Sequence, residues 1–117
     1  MPTLTISGTI TFPLGAEADP PKRGFSAQLV YDQKRDNEIA ITGAQVDVDF
    51  MGAITDAKAC YIEVLVGAGD LKINGATETL PLSEDGGFWV WFNPNGGLTS
   101  LTVTTADNAK FRIYLFT

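Results

Sequence analysis

Polar and apolar side chains alternate along residues 3–12, with Leu4, Ile6, Ile10 and Phe12 on one side and Thr3, Thr5, Ser7, Thr9 and Thr11 on the other. A period of two in residues rich in β-branching predicts a half-buried strand, and Gly8 marks a candidate bulge within it. Residues 13–24 break the pattern with Pro13, Gly15, Pro20, Pro21 and Gly24 and few large apolar side chains. Such a stretch fits neither a helix nor a central strand, so an extended loop or arm is expected. Alternation returns at Phe25, Ala27, Leu29 and Tyr31. Residues 32–37 read as a charged turn, and Ile39 and Ile41 as a short strand. Gly43 separates that strand from Val46, Val48 and Phe50, which alternate with Gln45, Asp47 and Asp49.

Residues 58–66 are apolar on both faces, residues 67–70 (Gly-Ala-Gly-Asp) read as a turn, and Leu71 and Ile73 lead into Asn74-Gly75, a strong hairpin signal. Further strands are predicted at 79–82, 88–92, 99–105 and 110–117, separated by turns rich in Gly, Asn, Asp and Pro. The only hint of helical spacing lies at 56–59. About nine or ten short strands at near-regular spacing predict an all-β chain with no helix longer than about two turns. The expected architecture is an antiparallel β-sandwich, jelly-roll-like, in a single domain over residues 1–117 with the 13–24 segment as its arm.

One feature exceeds what a two-layer sandwich needs. In Phe88-Trp89-Val90-Trp91-Phe92 both faces are apolar, and Arg112, Tyr114 and Phe116 share the second face of a strand whose first face carries Phe111, Ile113 and Leu115. A sandwich buries one face of each sheet, so the second face calls for a cover: the arm, or another chain. The interface candidates are therefore Trp89, Trp91, Tyr114 and Phe116, with Lys22 and Arg23 on the arm able to meet an acidic neighbour.

Composition narrows the chemistry. The 117 residues hold no histidine and one cysteine, which removes Ser-His-Asp catalysis, His-ligated metals, internal disulfides and Cys-cluster zinc sites. Cys60, between Ala59 and Tyr61, reads as a buried small hydrophobe rather than a nucleophile, since nothing is at hand to activate it. A net charge of -6 argues against nucleic acid as a partner. The opening Met-Pro-Thr-Leu-Thr-Ile lacks the basic and apolar regions of a secretory signal, and no apolar run reaches a bilayer span, so no membrane partner is expected. Asp47 and Asp49, two apart on a strand, are the best cation candidates, weighed against an ordinary solvent face. The Gly67-Ala68-Gly69 and Gly86-Gly87 runs precede no helix that could cradle a phosphate and read as turns. No catalytic, cofactor or metal site is assigned. Stacking of a sugar on Trp89 and Trp91 stays open as an alternative use of the aromatic strand.

The segments Val46-Asp47-Val48-Asp49, Ile62-Glu63-Val64-Leu65-Val66, Gly86-Gly87-Phe88-Trp89-Val90-Trp91-Phe92-Asn93-Pro94, Leu101-Thr102-Val103-Thr104-Thr105 and Phe111-Arg112-Ile113-Tyr114-Leu115-Phe116 together resemble small β-sandwich virion proteins of tailed bacteriophages. The resemblance covers roughly residues 39–117 and leaves 1–38 unmatched. It implies a non-enzymatic structural protein assembled into a virion in the host cytoplasm. The implied role is a capsid decoration or cement protein, or alternatively a neck, tail or fibre-attachment component. Its partners would be the major capsid protein or another virion protein, and further copies of itself, a trimer being preferred.

Overall fold

The computed structural model describes residues 2–11 and 22–117; the side chains of residues 10, 11, 22 and 23 fall outside that description. The described residues form ten strands and no helix: β1 (Thr3–Thr11), β2 (Lys22–Val30), β3 (Lys34–Ile41), β4 (Gln45–Asp49), β5 (Ala59–Val66), β6 (Ala68–Ile73), β7 (Leu80–Ser83), β8 (Phe88–Phe92), β9 (Leu101–Thr105) and β10 (Ala109–Phe116). Among these residues no helix is long and apolar enough to cross a membrane. The chain divides into two compact units, Met1–Tyr31 and Asp32–Thr117.

The first unit is an antiparallel ribbon of β1 and β2, in continuous register from Thr3 opposite Val30 to Thr11 opposite Lys22. Gly8 is therefore no bulge. It lies opposite Phe25, and a Cβ there would sit 2.7 Å from Phe25 Cζ, so the missing side chain makes room for the ring. Lys22 to Gly24, expected in the loop, open β2; the rest of the expected arm, residues 13–21, lies outside the described residues.

The second unit is a sandwich of two four-stranded antiparallel sheets, ordered β3-β10-β5-β8 and β4-β9-β6-β7. Numbering its eight strands from β3 gives 1-8-3-6 against 2-7-4-5, the jelly-roll arrangement of two interleaved Greek keys. Alternation builds the core directly. Leu101 and Val103 of β9 and Phe111, Ile113 and Leu115 of β10 are buried, whereas Thr102, Thr104, Arg112, Tyr114 and Phe116 are only half-buried. Phe50, Ile62, Leu71 and Leu98 complete the interior, and the Phe50 ring meets Phe111 edge-on at 5.3 Å.

Four local expectations change. Residues 34–37 are strand rather than turn, because Lys34 to Ile41 pair along the whole of β10 and place their charges on an edge open to water. The expected 67–70 turn contracts to Gly67, where φ is +79°; Ala68 already belongs to the opposite sheet. Glu84 clamps this crossing, its carboxylate accepting from the Gly67 N–H at 2.8 Å and its own N–H donating to the Gly67 carbonyl at 2.8 Å. In β4 the register moves from Gln45 opposite Thr105 to Val48 opposite Val103, so three residues span what two span on β9. This bulge, with Asp47 at φ +50°, turns Val46 out to 77% exposure and breaks the even alternation. The 56–59 segment is not helical: it bends at Asp56 and Lys58, with Ala57 bridging Leu98 and Ala59 opening β5. Asn74-Gly75 does make the expected turn, both residues at positive φ and Ala76 N–H donating to Ile73 O at 3.0 Å.

Cys60 is buried and unpaired, and burial pushes its thiol up from 9.0 to about 12. A thiol reagent should label it only after denaturation, and rapid labelling of the native protein at pH 8 would contradict this packing. The raised value also fixes a sign. The unfolded thiol ionises near its ordinary value while the folded one stays protonated, so stability is fully present below pH 9 and is lost as pH rises towards 12. Over that window the wild type should lose up to about 1.4 kcal/mol per pH unit relative to Cys60→Ala in urea titrations.

Candidate functional site

The outer face of the β3-β10-β5-β8 sheet is assembled from cross-strand rows that the register dictates. One row runs Lys34, Phe116, Ala59, Phe92; the next Asp36, Tyr114, Tyr61, Val90; the third Glu38, Arg112, Glu63, Phe88. The β3 side of the face is charged and the β8 side apolar. Phe88 is 61% exposed and Val90 40% exposed, and the Tyr61 ring stacks between Phe88 at 6.2 Å and Tyr114 at 6.0 Å. This is a continuous aromatic surface beside a polar rim.

The rim is tied together. Arg112 reaches Asp36 at 3.1 Å and Glu38 at 3.4 Å, donates from Nε to Tyr114 Oη at 2.7 Å, and lies 5.2 Å from the centre of the Tyr114 ring; Lys110 pairs with Glu38 at 3.2 Å. The Tyr114 contact and the neighbouring carboxylates raise the Arg112 guanidinium further above its ordinary value. Burial, then the hydrogen bond its hydroxyl donates to Glu63 at 3.2 Å, raises Tyr61. Charges on this face balance. Lys34, Lys110 and Arg112 stand against Asp36, Glu38 and Glu63, in a chain that carries -6 overall. A second copy approaching here meets a face that carries no net charge of its own.

Of the interface candidates, Tyr114 and Phe116 take the outer face, while Trp89 and Trp91 take the inner face of β8. There the two indoles stack at 6.1 Å and pack against the core. Both are half-buried there, packed on the core rather than set out on the exposed face. The side chains of Lys22 and Arg23 lie outside the described residues. The aromatic surface instead centres on Phe88 and Val90, which sequence reasoning passed over. The signal for them was Glu63: a charge marks the wet side of β5, and its partner across the ladder is Phe88.

Other candidates have local roles. Asp47 pairs with Lys72 at 3.5 Å, and Asp49 accepts the Met51 N–H at 2.9 Å, so the two carboxylates serve the bulge and the following turn separately. Among the described residues no cluster of His, Cys, Asp and Glu could hold a metal ion. A depression of about 400 Å³ over β6 and β7 contains one carboxylate, Asp70, and no second acid or base beside it.

No protein-family model matches the chain, and no curated protein matches it. Among solved structures it is similar to a cupin-2 domain-containing protein from Shewanella frigidimarina NCIMB 400, at 11% identity over 69% of this chain and 68% of that one, with a TM-score of 0.44. The expectation of a capsid decoration or cement protein, or of a neck, tail or fibre component, is corrected: the solved structure found is described as a cupin-2 domain-containing protein, not as a component of a phage particle. The physical reason is that the segments behind the expectation are the strands of a jelly roll, whose alternation any protein of that architecture needs, and a fold does not carry a function.

Proposed function

We propose that the protein is a non-catalytic association module that joins copies of itself along the apolar β8 margin of the β3-β10-β5-β8 sheet. The observation that carries this is the exposed Phe88–Val90 surface, with Tyr61 and Tyr114 beside it, on a face whose charges sum to zero. Apolar area of this kind favours contact, and the balanced rim allows like copies to meet. Three features support a non-catalytic reading: the absence of histidine, a thiol held protonated, and a depression with a lone carboxylate.

Sedimentation equilibrium tests it. The wild type should show a mass that rises with concentration, and Phe88→Ser should weaken association at least about 10-fold, the scale of a modest interface anchor. Phe88 is exposed, so the variant should melt as the wild type does. A wild type that stays monomeric up to millimolar concentration sinks the proposal.

A further inference from the structure

We infer that two copies join edge to edge, β8 against β8, antiparallel about a two-fold axis through Val90; this rests on the self-association proposed above and specifies its geometry. The first observation concerns edges. The two sheets present β3, β8, β4 and β7 at their margins. Proteins guard exposed strand edges with charge, bulges or proline. β3 carries Lys34, Arg35, Asp36 and Glu38, β4 has its bulge at Asp47, and β7 has Pro81. Among the described residues β8 alone is unguarded: five residues with no charge, glycine or proline, in unbroken register with β5.

The second observation is hydrogen-bond parity. Val64 N–H donates to Gly87 O at 3.1 Å and Asn93 N–H to Lys58 O at 2.8 Å. In an antiparallel ladder the bonding residues alternate, so Gly87, Trp89, Trp91 and Asn93 turn their main-chain groups towards β5. Phe88, Val90 and Phe92 therefore turn theirs outward, to the free edge. The third is symmetry in the sequence itself, for Phe88-Trp89-Val90-Trp91-Phe92 reads the same in both directions. Laid antiparallel on a second copy, Val90 meets Val90 and Phe88 meets Phe92. These are the residues with free main-chain groups, and each pair can exchange both N–H···O bonds. Trp89 meets Trp91 on the inner side.

Charge selects the same orientation. Glu84 and Asp85 lie in the turn before β8, whereas at its far end Lys58 beside Asn93 is balanced by Asp56 beside Gly97. Antiparallel pairing carries each acidic turn towards the partner's balanced end; parallel pairing would set the acidic turns side by side. A two-fold arrangement uses the same patch on both copies, as the palindrome requires.

Disulfide mapping on the full chain tests the geometry. Under mild oxidation Val90→Cys should form a covalent dimer by itself. Phe88→Cys should not, but should cross-link when mixed with Phe92→Cys. Cys60 is buried and leaves the wild-type control monomeric on a denaturing, non-reducing gel. Val90→Lys, which sets two ammonium groups face to face at an exposed position, should weaken association at least 10-fold with the fold retained. If the wild type associates but Val90→Cys gives no dimer, or Phe88→Cys alone cross-links as well as the mixed pair, edge pairing is overturned while self-association stands. A wild type that never associates removes both.

Discussion

Replacing Phe111 by alanine should lower the stability of the sandwich by about 3–5 kcal/mol, measured by urea unfolding. Phe111 lies on β10, which pairs with β3 on one side and β5 on the other, and its ring is fully buried against Phe50. The opposite sheet is shaped around it. A Cβ on Gly69 would stand 2.8 Å from Phe111 Cζ and 2.6 Å from Val103 Cγ1, so the ring occupies space left by a missing side chain. Removing the ring opens a cavity bounded by main chain of both sheets, which cannot collapse without moving a ladder. That places the cost near the upper part of the range for aromatic truncation. A loss below about 1 kcal/mol would mean the two sheets close together there.

Gly67→Ala should cost about 2–5 kcal/mol by the same measurement, from two separable causes. At φ +79° an L-residue pays about 1–2 kcal/mol for its conformation alone. In addition, the new Cβ would sit 2.5 Å from Asn108 O and 3.1 Å from Ala109 Cα, both main-chain atoms that cannot swing away. Gly75→Ala separates the causes, because Gly75 has φ +70° with nothing within 4 Å of the added carbon. It should lose only the conformational part. Equal losses at the two positions would show that the crossing from β5 to β6 yields more easily than its packing implies.

Those two residues also show what the amino-acid pattern discloses. β9 and β10 were legible because one face of each is aliphatic or aromatic and the other is Thr or mixed polar, so alternation alone separated core from surface. The Gly67 crossing reads as a longer turn because Gly-Ala-Gly-Asp has turn chemistry throughout, yet Gly69 and Asp70 pair with Leu82 and Pro81. Gly69 is there to admit Phe111, a tertiary reason with no local trace. The charged strand β3 was hidden for the complementary reason: an edge strand needs a partner and tolerates water, so Lys34 to Glu38 carries no apolar signature. The candidate site was half legible. That β8 is apolar on both faces was plain. Which face points inward depends on its register with β5, and only that register puts the larger indoles inside and Phe88 and Val90 outside.

The place of β10 has a consequence for how the chain is made. β3 and β5 do not touch as neighbours in the sheet; each is hydrogen-bonded to β10, which is synthesised after all the other strands. As the chain leaves the ribosome, β3 and β5 must wait with their ladders open until Lys34 can find Phe116 and Ala59 can find the same residue from the other side. Pairings so distant along the chain close slowly, since loop entropy must be overcome before they are rewarded. Through that interval the apolar Phe88 to Phe92 strand is held by a β5 that itself lacks β10, an open edge that can pair with other unfinished chains.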